Sequence, residues 1–229
     1  SSTTSTASNN IGVGVTALDA ITTGDDNVGV GQGALSALTT GGLNVAIGSD
    51  AMASNVDGSS SIAIGHRSLT SHDPSGATET KNIGVGPYSL FSLTTGTDNI
   101  AIGYEALYSE DTSSESIAIG TKALRNQNAN TSNIAIGFQA GDAITTGTKN
   151  IVIGENAAGA TVSGLRNIAL GYEALKTNID GDGNVAIGYQ SLMTLEPADG
   201  FTHNVAVGYE SATSATTSNY GTFIGSQSG

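Results

Sequence analysis

The chain has no cysteine, no tryptophan and only three prolines in 229 residues. Without cysteine there is no disulfide scaffold and no thiol chemistry. Lys and Arg together number seven against twenty Asp and Glu, a formal net charge of -13. That balance leaves no positive patch of the kind nucleic acid or an anionic membrane surface requires. No apolar run approaches the roughly 20 residues of a membrane span, so membrane insertion is not expected. The sequence opens at Ser1 with neither an initiator Met nor a signal peptide, and reads as a processed protein or an excised piece. Charged residues make up 12% of it, about half the usual share of a globular domain.

What is abundant is glycine, 32 residues, together with regularly spaced hydrophobic positions that total 38%. Regular apolar spacing argues against disorder. The spacing is an internal repeat: Asn, aliphatic, small, aliphatic, Gly, as in Asn44-Val45-Ala46-Ile47-Gly48, Asn99-Ile100-Ala101-Ile102-Gly103 and Asn184-Val185-Ala186-Ile187-Gly188. Its closing glycines are Gly14, Gly31, Gly48, Gly65, Gly86, Gly103, Gly120, Gly137, Gly154, Gly171, Gly188, Gly208 and Gly225. Ten of the twelve intervals are 17 residues, and the other two are 21 and 20.

Each column has a physical meaning. The two aliphatic positions share one face of a short strand, because strand side chains alternate, and Ile and Val suit a pleated surface. The residue between them is small almost everywhere, as at Gly12, Gly29, Ala63, Ala118 and Ala169. A solvated position would tolerate Thr, Lys or Glu, so this second face is expected to be packed as well. Three residues past the closing glycine stands Ala or Ser, usually followed by Leu, as at Ala34-Leu35 and Ala106-Leu107. That pair is expected to form a second short strand or an elbow. A helix there is disfavoured, because only about a dozen residues separate successive strand motifs. Turn residues such as Thr22-Thr23-Gly24 and Thr145-Thr146-Gly147 close each unit.

The expected fold is therefore all-β: a parallel β-solenoid of about thirteen 17-residue coils, each stacked on the next at about 4.8 Å. Residues 1–9, rich in Ser and Thr, read as a linker or N-terminal tail, and 10–229 as one repeat array. The last repeat departs from the pattern, with Gly221, Thr222 and Phe223, as a capping coil would. A structural ladder is expected along Asn10, Asn27, Asn44, Asn82, Asn99, Asn133, Asn150, Asn167, Asn184 and Asn204, with Ser61 and Ser116 substituting. Burying the few aliphatics of one coil cannot offset the cost of ordering seventeen residues. The apolar small-residue face therefore points to other copies of the chain, a homo-oligomer packed along the fibre axis.

The repeated motif, from Asn10 to Gly225, resembles the head repeats of trimeric autotransporter adhesins and equally the repeats of bacteriophage tail fibres. The resemblance implies a left-handed β-roll of three identical chains and adhesion as the activity. It also implies an extracellular setting, on a virion tail fibre or a bacterial cell surface. The partner would be a cell-surface glycan or a protein receptor. The 17-residue unit is longer than the usual adhesin head repeat.

Candidate contact residues lie in the two insertions and in one aromatic row. The first insertion, near 71–76, carries His72, Asp73 and Pro74; the second, near 195–201, carries Glu196 and Phe201. Insertions in a solenoid go to loops. Tyr172, Tyr189 and Tyr209 fall in three consecutive coils and could stack as a ladder or meet sugar rings. His66, His72 and His203 lack metal-ligand spacing and read as surface residues. Glu105, Glu173 and Glu210 share a row with Arg67 and Lys122 and read as a solvated face. Asp180 and Asp182 resemble part of a calcium loop, but no bidentate Glu follows and the pattern occurs once, so a polar turn is the preferred reading. No cofactor and no catalytic constellation emerge. The sequence favours a structural and adhesive fibre segment that is not an enzyme. A self-assembling filament subunit is the alternative, and a polysaccharide-degrading tailspike is a more distant one.

Overall fold

The computed structural model describes residues 6–74, 79–128, 132–195 and 202–229. They contain thirteen three-residue strands and no helix, and the fold is an all-β parallel solenoid of about seventeen residues per turn. The chain divides into two compact units, Ser1–Glu115 and Ser116–Gly229.

Unit 1 carries β1 (Ile11–Val13), β2 (Val28–Val30), β3 (Val45–Ile47), β4 (Ile62–Ile64), β5 (Ile83–Val85) and β6 (Ile100–Ile102). Consecutive strands pair in parallel, column against column: Gly12, Gly29, Ala46, Ala63, Gly84 and Ala101 lie side by side. The first insertion does not disturb this register, since Ile62 still faces Ile83. Thr6 to Asn9, expected as tail, are bonded to the stack: Thr6 N–H donates to Thr22 O at 2.8 Å, and Asn9 Nδ2 to Asp26 Oδ1 at 3.0 Å.

Unit 2 carries β7 (Ile117–Ile119), β8 (Ile134–Ile136), β9 (Ile151–Ile153), β10 (Ile168–Leu170), β11 (Val185–Ile187), β12 (Val205–Val207) and β13 (Thr222–Ile224). Its central column runs Ala118, Ala135, Val152, Ala169, Ala186, Ala206 and Phe223. The second insertion likewise leaves Val185 facing Val205.

The two strand faces are the reverse of the expectation. The small column is the coil's own interior, with Ala46, Ala63, Ala135 and Ala186 fully buried. The aliphatic columns point outward. The reason is the flatness of the coil. A Cβ on Gly12 would stand 3.2 Å from the carbonyl oxygen of Ala17, and one on Gly84 only 2.5 Å from Ser68 Oγ. The strand thus lies close to the opposite wall, and the column is Gly or Ala at every rung except Val152 and, at the last, Phe223. The bulk of the core is the Leu column beyond, including Leu35, Leu69, Leu124 and Leu175, all fully buried.

The Ala-Leu segment is an elbow of turns rather than a second strand. Ala17 N–H bonds back to Gly14 O and Ser36 N–H to Gly33 O, closing four-residue turns. Left-handed residues recur around the coil: Asp50 and Met52 in the elbow and Ser60 before the next strand have φ of 56°, 51° and 63°. Each such non-glycine residue costs roughly 1 kcal/mol or more, but here each also bonds to a neighbouring coil. Asp50 N–H donates to Gln32 O, Met52 N–H to Ser68 O, and Ser60 N–H to Gly42 O. Inter-coil hydrogen bonding therefore extends around the whole rung, well beyond its three-residue strand. At the corner, Gly48 has φ of 137°, and a Cβ there would lie 2.5 Å from Gly65 O. The glycines stack on one another's peptide groups, and no L-side chain fits.

Candidate functional site

The asparagines, with a serine at one rung of each unit, form a buried seam. In unit 1, Asn27 Oδ1 accepts from both the backbone N and Nδ2 of Asn44, at 3.0 and 3.1 Å. Asn44 Nδ2 also donates to Gly58 O at 2.8 Å, which ties the strand entry to the turn that closes the coil. In unit 2, Asn133 and Asn150 repeat the arrangement, and Asn150 Nδ2 reaches Gly164 O at 2.8 Å. Asn10, Asn82, Asn99, Asn167, Asn184 and Asn204 each take part in bonds of the same kind. The seam saturates its amides internally and offers no open coordination for a ligand.

A second buried polar column escaped the sequence reading. The seventh residue after the closing glycine is buried in the ten coils from Gly31 to Gly188, and its identity varies widely. Leu38, Leu93, Ile144 and Leu195 occupy it in some coils, and Asn55, His72, Glu110, Gln127, Thr161 and Asn178 in others, all essentially inaccessible. Where it is Asn, the side chain braces its own turn: Asn55 Oδ1 accepts from Gly58 N at 2.8 Å, and Asn178 Oδ1 from Gly181 N at 3.0 Å. Glu110 does the same through Ser113 N at 2.7 Å.

His72 belongs to this column, which corrects its reading as a surface contact residue. Its ring is fully buried, and burial lowers its pKa from the ordinary imidazole value to about 4. Pro74 is buried too, packed where a Cβ on Gly58 would meet its Cγ at 2.9 Å. Of the first insertion's three named residues only Asp73 is exposed. Glu196 and Phe201, like Ser75 and Gly76, lie outside the described residues.

The tyrosine row is a stacked ladder. Tyr172 and Tyr189 have ring centroids 5.3 Å apart with planes 10° from parallel, and Tyr189 and Tyr209 lie 5.1 Å apart at 8°. Both faces of Tyr189 are thus taken by its neighbours, and a sugar ring could reach only the outer faces of Tyr172 and Tyr209. Beside the ladder, Glu173 is buried rather than solvated: it binds Lys176 Nζ at 2.5 Å and accepts from Gln190 Nε2 at 2.8 Å. Lys176 first, and Gln190 second, hold its carboxyl below the usual range. The Glu173 charge in turn raises the Tyr172 phenol, and a hydrogen bond to Glu210 raises that of Tyr209.

Unit 1 gathers a different aromatic group on the corresponding elbow. Tyr88 makes edge-on contacts with His66, Phe91 and Tyr104 at 5.3, 5.7 and 6.2 Å, while Phe91 stacks on Tyr108 at 5.1 Å. The signal was in the sequence: Phe91 and Tyr108 are one repeat apart, and Tyr88 stands beside Phe91 on the same elbow.

Asp180 and Asp182 do not form a cation cage. Asp180 Oδ1 accepts from Ser163 Oγ at 2.5 Å, and Asp182 Oδ1 from Leu165 N at 2.8 Å, each reaching back one coil. Among the described residues no three His, Asp or Glu side chains come together as metal ligands. A shallow hollow of 260 Å³ lies between Glu210, Thr213, Ser214, Gln227 and Gly229. On its rim Glu210 Oε2 accepts from Gln227 Nε2 at 2.9 Å.

The most extended feature is the outward aliphatic stripe. In unit 1, Ile47 and Ile64 are 39% and 38% exposed; in unit 2, Ile136 and Ile153 are 36% and 39% exposed. These columns of β-branched side chains stand in register along each unit. No helix among the described residues is long and apolar enough to cross a membrane. No known protein family, curated protein or solved structure matches the chain.

Proposed function

We propose that the chain is a structural and adhesive segment of an extracellular fibre, in which copies of the chain pack side by side through their outward aliphatic columns. The observation that supports this reading is the stripe itself. A monomeric soluble protein rarely leaves a contiguous apolar surface of this kind uncovered, and such surfaces mark association sites. A second copy is the natural cover, because its columns have the same spacing along the stack and can interdigitate rung by rung. Burying one exposed Ile or Val contributes on the order of 1 kcal/mol or more, and the stripe repeats that gain at every coil. The number three, the adhesive role and the virion or cell-surface setting follow from the resemblance of the repeats.

Light scattering of the purified chain tests the packing. A mass near three times the 22.7 kDa of one chain is expected. Ile47→Lys with Ile64→Lys should lower it to that of a single chain without unfolding the coils, because these side chains do not belong to the interior. A wild-type mass equal to one chain would overturn the proposal.

A further inference from the structure

The Asn seam is interrupted twice by serine, once in each unit, and both interruptions are repaired by the same device. An Asn at the seam accepts two donors from the next Asn, its backbone N and its Nδ2. A serine hydroxyl reaches only the first. Ser61 Oγ accepts from Asn82 N at 3.0 Å, and Ser116 Oγ from Asn133 N at 3.4 Å. The second donor is then met by the inward column of the same coil, eleven residues beyond each serine. Asn133 Nδ2 donates to Gln127 Oε1 at 2.9 Å, and Asn82 Nδ2 lies 3.3 Å from His72 Nε2.

The protonation state of His72 follows from this geometry. Asn82 Oδ1 is committed to Asn99, accepting from its N at 3.0 Å and its Nδ2 at 3.2 Å. The atom facing His72 is therefore the amide NH2, a donor. Nε2 must be the acceptor and carries no proton, so the ring is neutral with its hydrogen on Nδ1. Nδ1 is itself buried with no hydrogen-bond partner. A proton added at Nε2 would turn acceptor into donor, against an amide that also donates, and would place a charge where nothing solvates it.

We propose that the Ser61, His72 and Asn82 junction is an acid-labile rung of unit 1, and that the Ser116, Gln127 and Asn133 junction is its pH-insensitive counterpart in unit 2. Few charges surround the ring to oppose this. Among the described residues around it, Asp57 follows Val56 in the preceding coil and is engaged by Thr39 and Thr40 hydroxyls at 3.1 and 2.6 Å. Asp73, next in the chain, is exposed. Later in the same coil, Lys81 is exposed and paired with Glu79 at 2.9 Å, and Asp98 of the following coil is exposed. Gly58 and Pro74 close the remaining side without ionisable groups.

The direction of the pH dependence is fixed. The folded value, about 4, lies below the ordinary 6.5, so the opened state binds the proton more readily. The stability that a neutral His72 contributes is complete above the ordinary value. It is lost progressively as the pH falls toward 4.

Hydrogen exchange followed by mass spectrometry and NMR tests this. The reporting amides are Ile62, which donates to Asn82 O, and Ile83, which donates to Asn99 O. Between pH 7 and pH 4 their protection factors should fall on the order of a hundredfold. Those of Ile117 and Ile134 in unit 2 should not share that component. His72→Gln imports the unit 2 solution and should abolish the fall. If His72→Gln does not fold, Ser61→Asn with His72→Leu recreates the Asn27 and Leu38 combination and serves in its place. A fall of the same size in either variant, or no fall in the wild type, would overturn the proposal.

Discussion

The two units are built from one repeat, yet they differ where the repeat is broken. In unit 1 the seam is mended by an imidazole and the elbow carries a cluster of rings meeting edge to face around Tyr88. In unit 2 the seam is mended by a carboxamide and the elbow carries a file of parallel tyrosines. The seam and the closing glycines are common to both. The comparison separates two kinds of position: those whose geometry admits one solution, and those where one requirement has been met with different chemistry. The closing glycine is of the first kind, and the inward column and the elbow are of the second.

The first kind can be broken most severely. Gly48→Ala in unit 1 and Gly137→Ala in unit 2 would each place a Cβ 2.5–2.7 Å from the peptide of the next closing glycine, at φ of 137° in both. Each should lose at least about 4 kcal/mol of stability, or fail to fold, because neither the stack nor the dihedral can yield. Chemical denaturation of both variants checks the claim that the units are equivalent here. A loss under about 1 kcal/mol in either would show that the corner is adjustable.

The next effect sharpens the contrast between solutions. Gln127→Leu removes both the acceptor for Asn133 Nδ2 and the donor to Ser116 Oγ, the latter at 2.9 Å. It should cost about 2 kcal/mol. Adding Ser116→Asn should return most of that, because Asn at the seam with Leu in the inward column is the pairing of Asn27 with Leu38 and of Asn184 with Leu195. A double-mutant cycle measures the coupling directly. Additive losses would mean that the seam and the inward column are independent.

Much of this architecture was legible in the sequence, and the reason is the glycine column. A residue type required at every rung by a stacked backbone leaves a period that chance does not imitate. Which strand face is interior was not legible. Alternation says that Val45 and Ile47 share a face and that Ala46 does not, but both faces are apolar and hydrophobicity alone favours the larger residues. The deciding quantity is depth: the opposite wall comes so close to the strand that Gly or Ala fills nearly every rung, Val152 and Phe223 excepted. His72 was misread for another reason. It falls in the insertion near 71–76, and insertions in a solenoid go to surface loops, whereas His72 stands in an inward column shared with Leu38, Leu93, Asn55 and Gln127. It is buried because turn amides such as Gly58 N and seam amides such as Asn82 Nδ2 await partners inside. Those partners are set by the three-dimensional path of the turn.

The smallest expected effect concerns the elbows. Tyr88 touches four other rings, His66, Phe91, Tyr104 and Tyr108, whereas Tyr189 touches two. An aromatic pair contributes about 0.5–1.5 kcal/mol beyond simple burial, and less where the rings are half exposed. Tyr88→Ser should therefore destabilise its surroundings by about 1 kcal/mol more than Tyr189→Ser does. Local exchange protection is the appropriate measure, since each change acts on a few rungs: Ser89 and Leu90 report on the first, Gln190 and Ser191 on the second. Equal losses would mean that the Tyr88 group, despite its extra contacts, does no more to hold its rungs than the simple file.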